Sequence, residues 1–255
     1  MPSNALLAEA DLDRATAVGE ELQEFSYIVS HDLAASFRHL AGFSRLLLGE
    51  LGDNLTNRQR EHAEQIRTAS DKCLQMMEQL LVFSRVQQKP LEPVSQDAAA
   101  TLQLAMLQLA TEVRDAEAEI EVEPLGEVYA DPALLAIAFH HALDNAIKFR
   151  RPGVRPHIAV RAAHDEACWR LRISDNGLGV APARRDQVFG MFQRLNGEDA
   201  YPGVGAGLAI CRRIARRHGG EARFIDCAEG ACFELALPRA RPAQSGAPTQ
   251  MARLG

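Results

Sequence analysis

Three observations predict an α+β fold. Two long helical stretches meet at a glycine-rich turn, a proline-bounded linker follows them, and short alternating strands interleaved with helices come after the linker. The first places a helical hairpin over residues 25–88, behind a helical linker at residues 1–24. The second is Lys89-Pro90-Leu91-Glu92-Pro93, where two prolines end a helix and open a new domain. The third places an α/β sandwich over residues 91–238, followed by a Pro, Ser, Gly and Gln tail at 239–255 that reads as disordered.

Composition narrows the class. Hydrophobic residues are 47% of the 255 and charged residues 24%, the ordinary mixture of a globular chain. A net charge of −6 leaves no basic footprint for nucleic acid. No apolar run approaches the roughly 20 residues that span a bilayer. The N-terminus, with Glu9, Asp11 and Asp13, lacks the basic start and apolar core of a signal peptide, which predicts a cytoplasmic protein. Five cysteines without a CxxC pair predict reduced thiols rather than disulfides or a zinc site.

The elements follow in order. Residues 5–24 are rich in Ala, Leu and Glu and run helically into the next stretch, with Gly19 as the weak point. Phe25 to Leu51 is an amphipathic helix, with Phe25, Ile28, Val29, Leu40, Phe43, Leu46 and Leu47 along one stripe. His31, in Ser30-His31-Asp32-Leu33, lies roughly 120° from that stripe, on the flank shared with Arg38 and Arg45. A reachable neutral imidazole can attack a phosphoryl group, although alone such a histidine is a solvated surface residue. Gly49 to Asn54 closes the helix. Thr56 and Gln59 form a capping box for a second helix, from about Asn57 to Arg85. Ala63, Ile66, Ser70, Cys73, Met77, Leu80 and Ser84 make a heptad-like seam on it. Two helices bury little by themselves, so the stripes need either a second hairpin, giving a homodimeric four-helix bundle, or the chain's own second half.

Beyond the linker, 98–116 reads as one helix and 120–123 as a strand. Asp131 caps a helix with Pro132 at its first position, running to about Arg150. Residues 158–162 and 169–174 are adjacent antiparallel strands, 207–218 a helix ended by Gly219-Gly220, and 221–225 and 232–237 closing strands.

Four stretches of this half carry chemistry. His141 and Asn145 share a helix face, with Lys148 close by: an amide oxygen can ligate Mg²⁺ and a lysine can meet phosphate. Asp175-Asn176-Gly177-Leu178-Gly179 follows a strand, and its aspartate can accept from an exocyclic amino group such as adenine's. Val188 to Leu195 sets aromatic anchors beside Arg194. Gly203, Gly205, Gly207 and Leu208 open a helix as a backbone phosphate cradle. It is neither a P-loop nor a Rossmann fingerprint, because no Gly-Lys-Ser/Thr follows and no strand leads directly in. Each stretch alone is ordinary surface, turn or core.

In this order, behind the hairpin, they resemble the sensor histidine kinases of two-component systems over about Phe25 to Pro238. Ser-His-Asp-Leu is similar to the phosphoacceptor box, Asp144 to Phe149 to the N box, Asp175 to Gly179 to the first glycine box, Phe189 to Leu195 to the F box, and Gly203 to Ile210 to the second glycine box. The phosphoacceptor and F boxes look most like the phytochrome-type branch. The resemblance implies a dimeric phosphotransfer hairpin and an ATP-binding sandwich of the gyrase, chaperone and histidine-kinase type. ATP·Mg²⁺ would give its γ-phosphoryl group to His31, which would pass it to an aspartate of a response regulator. It further implies that Asp32 accepts a hydrogen bond from the His31 ring, Asn145 ligates Mg²⁺, and Lys148 meets the phosphates. Asp175 would hold the adenine amino group and Arg194 the γ-phosphate, with Gly203, Gly205 and Gly207 along the phosphates under a lid at 180–202.

The sequence departs from that pattern in places. His141 stands where the family's N box has a first asparagine, and Mg²⁺ prefers oxygen. Ser36 replaces a helix-bending proline, and Ala35 replaces the Thr or Asn of phosphatase-competent relatives. The last glycine box is reduced to Glu229-Gly230-Ala231-Cys232-Phe233. Asp32 falls near the apolar stripe, where a carboxylate needs a partner. Two other functions are compatible with parts of the chain. One is a non-catalytic scaffold that docks a response regulator, which His141 favours. The other is a chaperone- or gyrase-type ATPase, against which the His31 hairpin argues.

Overall fold

The computed structural model describes residues 33–51, 54–195 and 201–239. His31, Asp32, the helix expected over 5–24 and the tail from residue 240 lie outside the described residues. The chain divides into two compact units, 1–90 with 181–213 and 91–180 with 214–255.

The first unit contains the hairpin. Helix α1 covers 33–50 and α2 covers Asn57–Gln88. The Thr56 capping box forms: its hydroxyl accepts from Gln59 N at 3.3 Å, and its own N–H donates to Gln59 Oε1 at 2.9 Å. Lys89 N donates to Arg85 O at 3.0 Å, and Pro90 stops the helix. Ser44 Oγ donates to Ala63 O at 2.5 Å, tying α1 to α2. Ala34, Ala41 and Ser44 are buried on α1, and Ser70, Ser84 and Val86 on α2. The large apolar stripe is the part left exposed, with Phe43 64% and Leu46 55% accessible and Leu40 and Leu47 about half so.

The second unit is a helix-on-sheet sandwich. Strand β1 (Val94–Asp97) pairs antiparallel with β3 (Glu127–Ala130). Helix α3 (Ala98–Gln108) is capped by Asp97, and α4 (Ala110–Asp115) follows it. The main sheet is β2-β4-β5-β7-β6: β2 (Glu119–Val122), β4 (His157–His164), β5 (Cys168–Asp175), β7 (Cys232–Pro238) and β6 (Glu221–Ile225). All its pairs are antiparallel except β2 with β4. Period-two alternation sends Trp169, Leu171 and Ile173 of β5 and Phe233, Leu235 and Leu237 of β7 into one core. Helix α5 (Pro132–Lys148) supplies Leu135, Phe139 and Leu143 to it, and the Phe139 and Trp169 rings stand 6.4 Å apart. Trp169 Nε1 donates to Leu125 O at 2.9 Å, satisfying a buried donor.

Three expectations change. The helix expected over 98–116 breaks at Leu109, whose N–H is shared between Ala105 O and Met106 O at 3.2 Å each. The β1–β3 pair was not anticipated, and β2 joins the sheet in parallel. Helix α5 ends at Lys148, two residues short of Arg150.

Candidate functional site

The site begins with how α5 is held. Asp131 is fully buried; its Oδ1 accepts from Ala133 N (3.0 Å) and Leu134 N (3.1 Å) as an N-cap. Its own N–H donates to His218 Nε2 at 3.0 Å. That bond requires an unprotonated Nε2, so Nδ1 carries the proton and donates to Ile214 O at 2.8 Å. Burial lowers the His218 pKa, which agrees with a neutral ring.

Held this way, the second half of α5 presents His141, Asn145 and Lys148. Asn145 has a buried side-chain nitrogen, Nδ2, without a hydrogen-bond partner. A half-turn of the amide would put its oxygen there instead, so an unanswered polar group faces that point either way. An orphaned buried amide is what a site for a missing polar ligand or cation leaves behind, and Asn145 fits the Mg²⁺ role. Lys148 Nζ pairs with Asp144 Oδ2 at 2.6 Å and is mostly covered. Burial, and then the charges of His140 and Lys148, lower the His141 pKa to about 4, so its imidazole is neutral at pH 7.

The loop after β5 is anchored to the end of this helix. Leu178 N donates to Phe149 O at 3.0 Å, and a Cβ on Gly177 would overlap the same carbonyl oxygen. Asp175 Oδ1 accepts from Gly177 N at 2.8 Å and Ala231 N at 3.2 Å. Burial holds the Asp175 carboxyl above the usual carboxylate range, offset in part by those two donors and by the Arg151 charge. Gly179 has φ 74°, and a Cβ there would lie 2.6 Å from Gly230 O. Gly230 itself has φ 62° and no room for a Cβ against Asp175 O. The glycine box that looks reduced in sequence therefore keeps the one glycine its packing requires.

Two supports were missed by sequence reasoning. Arg151 Nε donates to Gly177 O at 3.0 Å while its Nη1 pairs with Glu229 Oε1 at 2.9 Å, bracing the two loops. His218 is the other. A lone arginine and a lone histidine carry no local pattern that would reveal either role.

In the first unit, Gly203 (φ 113°) and Gly205 (φ 76°) occupy conformations that favour glycine. A Cβ on Gly205 would lie 2.6 Å from Gln193 O and 3.0 Å from Arg194 Cγ, so the glycine run packs on the Arg194 segment. Arg194 Nη2 donates to Tyr201 O at 2.6 Å. Gly207 and Leu208 begin helix α6 (Gly207–Arg217). Its Arg212 lies 3.9 Å over the Phe189 ring and pairs with Asp186 Oδ1 at 2.9 Å.

Residues 130–241 match the family of histidine kinase-, DNA gyrase B- and HSP90-like ATPases. Cyanobacterial phytochrome A of Nostoc sp. strain PCC 7120 is 31% identical over 244 residues, 94% of this chain and 31% of that protein. Phytochrome-like protein Cph1 of Synechocystis sp. strain PCC 6803 is 28% identical over 229 residues, 89% of this chain and 30% of that protein. The chain thus spans less than a third of these curated relatives. Among solved structures, histidine kinase ThkA in complex with response regulator protein TrrA is similar at a TM-score of 0.62 and 14% identity, over 94% of this chain and 69% of that one. That likeness is one of fold.

Proposed function

We propose, from the match of residues 130–241 to the histidine kinase-, DNA gyrase B- and HSP90-like ATPases and the similarity to phytochromes over most of the chain, that it is an ATP-dependent protein-histidine kinase that phosphorylates His31. The observation that carries the reading is the loop Asp175–Gly179 anchored to the end of the helix that presents Asn145 and Lys148. Asp175 accepts a hydrogen bond from the adenine amino group. Asn145 holds Mg²⁺, which when bound offsets the charge of the triphosphate. Lys148 divides its charge between Asp144 and the phosphates, and Arg194 meets the γ-phosphate. Gly203, Gly205, Gly207 and Leu208 offer backbone N–H groups to the remaining phosphate oxygens. An imidazole nitrogen of His31 forms the new N–P bond, the bond from Pγ to its bridging oxygen breaks, and ADP leaves; Asp32 orients the ring.

The receiving partner is an aspartate on a response regulator, and ThkA, similar in fold, has been solved with one. The working form is a homodimer. Its support is the exposed stripe of Leu33, Leu40, Phe43, Leu46 and Leu47 on α1, which a second hairpin would bury in a four-helix bundle. No helix among the described residues is long and apolar enough to cross a membrane. All five cysteines are free thiols, which suits a cytoplasmic setting.

A scaffold that docks a regulator without turnover is the second reading, and His141 in the N box favours it. Incubation with γ-labelled ATP and Mg²⁺ separates the two. Label that survives base and is lost in acid is the expected result; ATP bound with no label transferred selects the scaffold.

A further inference from the structure

Helix α5 carries a feature that ATP binding alone leaves unexplained. His141 and Asn145 are one turn apart and share a face. Asn145 has a buried nitrogen without a partner, and so has His140 at Nδ1. The His140 ring stands edge-on to His141 at 5.5 Å. One turn further along, Lys148 is paired with Asp144 at 2.6 Å, whose carboxylate offsets part of the ammonium charge that His141 feels. No group of three or more His, Cys, Asp or Glu side chains among the described residues could hold a metal ion by itself. A cation on this face is therefore shared between one or two protein groups and phosphate oxygens.

We propose that His141 is a ligand, through an imidazole nitrogen, of the divalent cation that accompanies the nucleotide, and that it makes this site prefer Mn²⁺ to Mg²⁺. The inference rests on the ATP-site reading above. Mg²⁺ demands near-octahedral oxygen donors and dehydrates reluctantly, so an imidazole one turn from Asn145 takes up space without offering a donor Mg²⁺ favours. Imidazole nitrogen is a softer donor, accepted by Mn²⁺ and by the later first-row ions. With Asn145 supplying the oxygen and His141 the nitrogen, this face of α5 gives a mixed pair, and the phosphates complete the shell.

The test uses the full chain with Mn²⁺ and ADP. Electron spin-echo measurements on the bound Mn²⁺ should give a ¹⁴N modulation, which changes to a ¹⁵N pattern when the histidines are ¹⁵N-labelled and vanishes in His141→Asn. The labelled wild type needs no substitution, so the result survives a variant that folds badly. ADP should bind about tenfold tighter with Mn²⁺ than with Mg²⁺, and the ratio should fall towards unity in His141→Asn as Mg²⁺ binding improves. Mn²⁺·ADP bound without histidine modulation overturns the proposal and leaves the ATP site standing. No ADP binding with either metal, in either protein, overturns the ATP site and the proposal with it.

Discussion

At His141, burial and the charges of His140 and Lys148 act in the same direction. Its folded pKa, about 4, lies below the ordinary 6.5, so on acidification the unfolded chain takes the proton first. The stability this neutral ring contributes is therefore complete above pH 6.5 and declines as pH falls towards 4, by about 1.4 kcal/mol per pH unit. His218 is shifted in the same direction by burial and adds to the decline. Urea unfolding at pH 7 and pH 5 should show the loss, and His141→Asn should make it shallower without abolishing it; an unchanged slope would mean that the ring is not buried neutral. Gly230 gives a second prediction at this scale. Gly230→Ala must leave φ 62° or push away Asp175, so it should cost roughly 1–3 kcal/mol and weaken ATP in competition with a fluorescent nucleotide. Wild-type affinity in that variant would break the link between the Gly230 turn and the adenine site. Asp175, Gly177 and Gly179 were legible because a DxGxG string after a strand is a local pattern. Arg151, Glu229 and His218 were not, because each acts across 26 to 87 residues of sequence.

Elements were legible where periodicity or capping chemistry was strong. Helix α2 with its Thr56–Gln59 box and α5 with Asp131-Pro132 are both present as expected. Strand β1 was invisible because Val-Ser-Gln-Asp has four residues, mostly exposed, and no alternation; it exists through pairing with β3. The break at Leu109 has no glycine or proline to announce it. Asp131→Ala removes the cap of α5 and strands the N–H groups of Ala133 and Leu134. It should cost about 2 kcal/mol, at the upper end for caps, and lower the thermal midpoint. Of the stripe expected on α1, Leu40, Phe43, Leu46 and Leu47 are exposed, while Phe25, Ile28 and Val29 lie outside the described residues. Phe43→Glu, at an exposed position, should then leave helix content unchanged and convert a sedimenting dimer to monomer. A dimer that persists would move the interface off α1.

For the molecule as a whole, the α+β class and the ATPase half were readable from motif order. The parallel entry of β2 was not, since pairing direction leaves no local trace in four residues. In the proposed reaction the hairpin and the ATPase domain together move a phosphoryl group from ATP to one histidine. Its most direct test sets wild type beside His31→Ala, both at ATP concentrations where a fluorescent nucleotide is fully displaced, with γ-labelled ATP and either Mg²⁺ or Mn²⁺. Acid-labile label on the wild type alone is the predicted result. Label retained in His31→Ala, or absent from the wild type while ATP is bound with both metals, would contradict it.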